Sequence, residues 1–188
     1  MKQLHPLKQL FWECTLRCNL HCLHCGSDCK NEALAPDMPK EDFLRAVDEL
    51  LPHVDRHNLN VIISGGEPLV RKDIEEVGME LHRREMPWGM VSNGLLLTPE
   101  RLQSLMRAGL TGMSISIDGN ADDHNWMRGN PRSHEGAFRA IRLLSQTSVK
   151  WDVVTCVNQR NINYLHELRQ ELIDAGAHHW RLFTIVPM

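Results

Sequence analysis

Short apolar runs alternate with longer amphipathic stretches along the whole chain, and that alternation most narrows the fold. Strand-like runs occupy Gln9 to Cys14, Asn60 to Ser64, Trp88 to Ser92, Met113 to Asp118, Lys150 to Val157 and Trp180 to Val186. Between them, apolar residues recur at helical spacing. Phe43, Val47, Leu50, Leu51 and Val54 mark a helix from about Pro39 to Val54, and Ile74, Val77 and Leu81 mark one from Asp73 to Arg84. Thr98-Pro99-Glu100 is a helix start, a capping hydroxyl followed by proline at the first helical position, and Gly109 is its stop. Ser133 is placed to cap a helix carrying Phe138, Ile141 and Leu144, and a last helix with Leu165, Leu168, Leu172 and Ile173 ends near Gly176. Alternating β and α units imply a parallel sheet with right-handed crossovers. The 188 residues suffice for one α/β domain with a real core. The pattern leaves open whether the sheet is doubly wound or curled into a partial barrel.

The chemistry is concentrated in Cys18-Asn-Leu-His-Cys22-Leu-His-Cys25, a C-x3-C-x2-C run just after the first strand. Three thiolates suit a [4Fe–4S] cluster with one iron left open, whereas a closed cluster or a structural zinc takes four protein ligands. Further motifs follow: Ser64-Gly65-Gly66-Glu67-Pro68, Ser92-Asn93-Gly94 and Ser114-Ile115-Ser116-Ile117-Asp118-Gly119. Each lies at the carboxyl end of a predicted strand, where parallel α/β folds gather their sites. Asn158 and Val186 close strands five and six in the same way. Chain order and strand polarity alone therefore predict one shared pocket.

This ordered set of motifs resembles the radical S-adenosylmethionine (radical SAM) superfamily, over nearly the whole chain. The resemblance selects the curled alternative, a partial (βα)6 TIM-like barrel, with residues 1–188 as its core domain. The sequence stops at Pro187-Met188, just after strand six, where a sixth helix is expected, so it reads as a truncated core. The resemblance also assigns roles. Cys18, Cys22 and Cys25 would ligate three irons, and SAM would chelate the fourth through its amino and carboxylate groups. Gly65, Gly66 and Glu67 resemble the segment that receives the SAM amino group, with glycine letting the backbone come close. Ser116 resembles a strand-four contact to SAM, and Asp118, two residues on, leans to the same face. Arg128 resembles an arginine that meets the SAM carboxylate. His24 would bring its backbone to the adenine, Val186 would contact it from strand six, and Ser92 and Asn93 would line the cofactor or substrate side. The implied reaction is reductive cleavage of SAM, which requires a low-potential electron donor of the flavodoxin or ferredoxin type.

Within the superfamily, Glu13-Cys-Thr-Leu-Arg-Cys18, Ser-Ile-Asp-Gly and Asp123-His124 leading to Arg128-Gly129 look most like peptide- or protein-modifying members, of the SPASM or sulfatase-maturase kind. The alternative is a small-molecule enzyme of cofactor biosynthesis. A different class, a non-catalytic scaffold holding zinc or a closed cluster, leaves Gly65-Gly66-Glu67 and Ser116 without a task.

Composition bounds the remainder. The net charge of −3 is spread without a basic stripe, which argues against nucleic acid. No apolar run approaches the roughly 18 residues of a membrane span, and the polar start is unlike a secretory signal. A reducing cytoplasm is therefore expected. Five of the six cysteines crowd between Cys14 and Cys29, a metal-binding rather than a disulfide pattern. Cys14 and Cys29 extend the run to C-x3-C-x3-C-x2-C-x3-C, and one of them as a zinc or alternative cluster ligand is the competing reading; both are expected as packed free thiols, Cys156 as core and Arg71 as a buttress.

Overall fold

A computed structural model describes residues 5–33 and 35–184. Its strands are β1 (Gln9–Glu13), β2 (Asn60–Ser64), β3 (Trp88–Ser92), β4 (Leu110–Ser116), β5 (Lys150–Val157) and β6 (Trp180–Thr184). They form one sheet in the order β1-β2-β3-β4-β5-β6, every neighbouring pair parallel. The helices are α1 (Lys40–Leu50), α2 (Ile74–Arg83), α3 (Pro99–Arg107), α4 (Ala121–Arg128), α5 (Ser133–Leu144) and α6 (Leu165–Asp174). Strand order equal to chain order, with a helical return between every pair, curls the sheet into the half-barrel expected from the sequence. Among the described residues no helix is long and apolar enough to cross a membrane.

The two sheet faces differ as strand alternation requires. Val61, Ile63, Met90, Met113, Ile115 and Val153 face the helices and are buried, meeting Val47, Val77, Leu81, Leu105, Ile141 and Leu168 in one core. Each such side chain contributes about 1.5–3 kcal/mol on leaving water. The other face, carrying Ile62, Ser64, Val91, Ser114, Ser116 and Val154, is half-buried and lines the concave side. Trp12 fixes β1 to α1 by stacking on Phe43, ring centroids 3.9 Å apart.

Element boundaries differ from the expectations in instructive ways. β1 ends at Glu13, and β4 runs from Leu110 to Ser116, so Asp118 lies beyond the strand. The helix expected up to Val54 ends at Leu50, with a 3-10 turn from Leu51 to His53. Thr98 caps α3 as expected, its Oγ1 accepting from Arg101 N–H at 3.1 Å. Ser133 is the first residue of α5 rather than its cap; its Oγ bonds Asn125 Oδ1 at 2.9 Å and the Asn130 carbonyl at 3.0 Å. Helix α4 was not expected at all. Val186 lies outside the described residues.

Candidate active site

Beyond β1 the chain enters the cysteine loop, which is tied at its base to the end of β2. Gly66 N–H donates to the Thr15 carbonyl at 2.8 Å, and Glu67 N–H donates to the Arg17 carbonyl at 3.0 Å. A Cβ at Gly66 would sit 2.2 Å from Arg17 O, and one at Gly65, whose φ is +122°, 2.3 Å from Thr15 O. The glycine pair is thus demanded by the cysteine loop's own backbone. The close approach of this glycine pair in the structure is to residues 14–18. The loop closes on itself where Cys18 N–H donates to the Lys30 carbonyl at 2.7 Å.

Glu67 is fully buried and accepts three hydrogen bonds: from Asn93 N–H at 2.8 Å, Leu69 N–H at 3.1 Å and Ser92 Oγ at 2.9 Å. It joins the ends of β2 and β3, and burial pushes its pKa upward against those donors. Ser92 Oγ accepts in turn from Gly94 N–H at 3.0 Å, so its hydroxyl shapes this turn. Asn93 reaches across to the cysteine loop, its Nδ2 donating to Asn19 Oδ1 at 2.8 Å.

The facing wall comes from α4. Asn120 caps this helix by accepting from Asp123 N–H at 2.9 Å, and Gly129 ends it with a φ of +64°. The carbonyls left free at its end are taken by the cysteine loop: Leu23 N–H donates to Met127 O at 2.9 Å and His21 N–H to Arg128 O at 3.3 Å. The guanidinium of Arg128 lies inward, with Nε donating to Asp118 Oδ2 at 2.6 Å and Nη1 3.9 Å from Cys22 Sγ. The other Asp118 oxygen accepts from Cys156 N–H at 2.9 Å. Burial alone would raise the Asp118 pKa; the adjacent Arg128 outweighs it and holds the carboxyl below its ordinary range. Asn161, fully buried, locks the same corner by donating to Asp118 O at 2.7 Å and Cys156 O at 2.9 Å.

These walls enclose a cavity of about 190 Å³. Cys18, Cys22, Cys25 and His24 line one side; Gly65, Gly66, Ser92, Asn93, Ser116 and Arg128 line the other. Glu67 and Asp118 stand behind the wall and orient what lines it. The sulfurs already receive donors, Leu20 N–H to Cys18 Sγ at 3.4 Å and Cys29 N–H to Cys25 Sγ at 3.3 Å. Burial pushes the Cys18 thiol up to about 11 and also raises Cys22. The Nδ1 of His24 is buried with no hydrogen-bond partner. Among the described residues, no three His, Cys, Asp or Glu side chains converge tightly enough to hold a single metal ion. The thiols are arranged around a space and not around a point.

Residues 12–172 match the family model for the radical SAM superfamily. The chain belongs to that superfamily. Radical SAM membership implies SAM and an iron–sulfur cluster, and the donor set fits both. Cys18, Cys22, Cys25 and Cys29 are among the lining residues, backbone N–H groups are directed at the Cys18 and Cys25 sulfurs, and a buried guanidinium and an unpartnered imidazole nitrogen border the space beside them. Among similar proteins, the AdoMet-dependent heme synthase of Methanosarcina barkeri is 32% identical over 177 residues, covering 94% of this chain and 50% of that protein. The antilisterial bacteriocin subtilosin biosynthesis protein AlbA of Bacillus subtilis is 30% identical over 174 residues, 92% of this chain and 38% of that one. The crystal structure of native anSMEcpe with bound AdoMet superposes with a TM-score of 0.81 at 20% identity, covering 96% of this chain and 52% of that one. The chain thus spans half or less of the curated relatives it matches.

Several residues of this radical SAM site escaped the sequence reading. Helix α4 has no apolar stripe, although Asn120, Asp122, Asp123 and Gly129 spell a cap, an acidic first turn and a stop. Cys156 is a correction: expected in the core, it is half-exposed on the concave face, because Val153 and Thr155 take the helix-facing positions. Cys14 and Cys29 are buried free thiols as expected, and Arg71 is a buttress, donating to the Cys14 and Met38 carbonyls and paired with Asp73.

Proposed function

We propose that this chain is the catalytic core of an enzyme that cleaves SAM reductively and removes a hydrogen atom from a substrate. The observation that carries the reading is the single cavity bounded by Cys18, Cys22 and Cys25 on one side and by Ser116 and Arg128 on the other. When bound, a reduced [4Fe–4S] cluster supplies the electron that splits SAM into methionine and a 5′-deoxyadenosyl radical. Cys18, Cys22 and Cys25 would hold three irons, releasing their protons as they bind. Arg128, kept charged and oriented by Asp118, presents a guanidinium suited to the SAM carboxylate. The Gly65-Gly66 backbone would receive the amino group, Ser116 would contribute a hydroxyl, and the His24 backbone would approach the adenine. Glu67, Asn161 and His124 act through others as positioning residues. A flavodoxin- or ferredoxin-type donor would provide the electron.

For the substrate, the motifs around Arg128 favour a peptide or protein. A second reading, a tetrapyrrole of cofactor biosynthesis, is favoured by the heme synthase of M. barkeri at 32% identity over nearly the whole chain. The test is anaerobic reconstitution with iron and sulfide, then electron paramagnetic resonance of the reduced protein with and without SAM. The expected result is a [4Fe–4S]+ signal that shifts with SAM, is lost in Cys22→Ala, and accompanies release of 5′-deoxyadenosine. A signal indifferent to SAM would sink the proposal. Stimulation of 5′-deoxyadenosine release by an iron coproporphyrin, and not by peptides, would select the second substrate reading.

A further inference from the structure

Between Gly26 and Glu32 every residue is exposed except Cys29, which is 5% exposed. The chain goes to some length to turn this one side chain inward. Asp28 adopts a φ of +46°, a left-handed conformation that aspartate tolerates better than most residues. Its N–H donates to the Cys25 carbonyl at 3.3 Å, closing a tight turn directly before Cys29. On the far side, a parallel bridge between Arg17 and Lys30, with the Cys18–Lys30 hydrogen bond, fixes residue 29 beside the first motif cysteine. The Cys29 N–H points at Cys25 Sγ, and Cys29 is among the residues that line the same cavity as Cys18, Cys22 and Cys25. The loop therefore offers four thiols to a cavity whose cluster needs three.

A buried cysteine is often no more than a small apolar side chain. Two features argue otherwise here. The stretch around it is polar and solvent-facing, with no apolar layer for Cys29 to complete other than the motif cysteines, Leu16, Leu20 and Leu95. And Cys29 is itself one of the residues that line the cavity, next to Cys25, with its thiol held by a long 3.8 Å contact to the Ser27 carbonyl. We infer that Cys29 is a reserve ligand, occupying the open iron while SAM is absent and yielding it when SAM binds. The inference rests on the radical SAM reading above. The exchange involves no electron transfer. The Cys29 Sγ–H bond breaks, the proton goes to solvent, and a sulfur–iron bond forms; on SAM binding the sulfur–iron bond breaks and the thiol takes a proton back. The consequence is a site shielded from stray ligands until its proper cofactor arrives, at the cost of some affinity for SAM.

The experiment compares the reconstituted, reduced chain with Cys29→Ala and with Cys29→Val, whose side chain fills the same space. Spectra are recorded without SAM, with SAM, and with cyanide in place of SAM. The variants should differ from wild type without SAM, coincide with it when SAM is bound, and bind SAM roughly tenfold more tightly, since the competing ligand is gone. Cyanide should leave the SAM-free wild-type spectrum unchanged and shift that of either variant. The wild-type arm stands even where a variant fails to hold four irons. A cyanide shift in the wild type, or SAM-free spectra and SAM affinities that match across all three proteins, would overturn the inference. The SAM-bound spectrum and 5′-deoxyadenosine release report on the underlying reaction separately.

Discussion

The imidazole of His124 is 1% exposed, and its Nδ1 accepts a hydrogen bond from the Asp118 N–H at 3.0 Å. A ring that accepts there must be neutral. Burial, and then the nearby Arg128 charge, push its pKa down to about 3, although Asp118 Oδ2 lies 3.6 Å away. An unfolded histidine titrates near 6.5. The unfolded chain therefore takes up this proton first, so the contribution of His124 to stability is complete above about pH 6.5 and drains away as pH falls toward 3. The slope for one proton is about 1.4 kcal/mol per pH unit. His24 and His134 are shifted in the same direction and add to it. Urea denaturation midpoints should be level from pH 8 to 7 and fall steadily below 6.5. His124→Asn, which keeps an acceptor for the Asp118 N–H, should remove about one proton from that slope. Parallel slopes for the two proteins would mean that His124 is not held neutral. His124 holds the backbone of Asp118, the partner of Arg128, together with Asn161, so acid acts on the site and the fold at one place.

At the scale of elements, the site depends on how closely the cysteine loop lies on the end of β2. Gly66→Ala places a methyl group against the Arg17 carbonyl, and backbone must give way. The expected loss is about 1–3 kcal/mol of stability, with a marked fall in iron bound after reconstitution. Gly26→Ala in the same loop meets nothing within 4 Å and should retain wild-type iron. Equal iron in both variants would show that the loop does not need this contact. All six strands were legible from sequence, because each is a short apolar run bounded by polar residues or glycine. The cysteine spacing was legible because ligation needs the thiols themselves, whatever surrounds them. What sequence did not show is how Glu67 and Asp118 are held: their oxygens are engaged by Asn93, Leu69 and Ser92 in one case and by Arg128 and Cys156 in the other. Apart from Leu69, two positions on, these partners lie 10 to 38 positions away, and no local pattern carries them. Helix α4 was hidden for a related reason. Its buried residues, His124, Met127 and Arg128, face a polar corner in place of an apolar core.

At the scale of the molecule, the sheet is open: β1 and β6 each have one strand neighbour within it, and the concave face lies between those two edges. Phe11 on β1 and Phe183 on β6 stand exposed there, at 61% and 48%. The cysteine loop is nevertheless held from three directions, by the end of β2, by its own closure at Lys30 and by the last turn of α4. These ties are backbone hydrogen bonds, and none passes through iron or sulfide. Amide hydrogen exchange of the metal-free chain should therefore show Cys18, Leu23 and Gly66 protected to nearly the level of the reconstituted form; rapid exchange at all three would mean that the inorganic core organises the loop. A protein built this way separates folding from maturation. On the proposed reading, oxygen would strip the inorganic guest and leave the host standing, and repair would become a matter of refilling a finished socket.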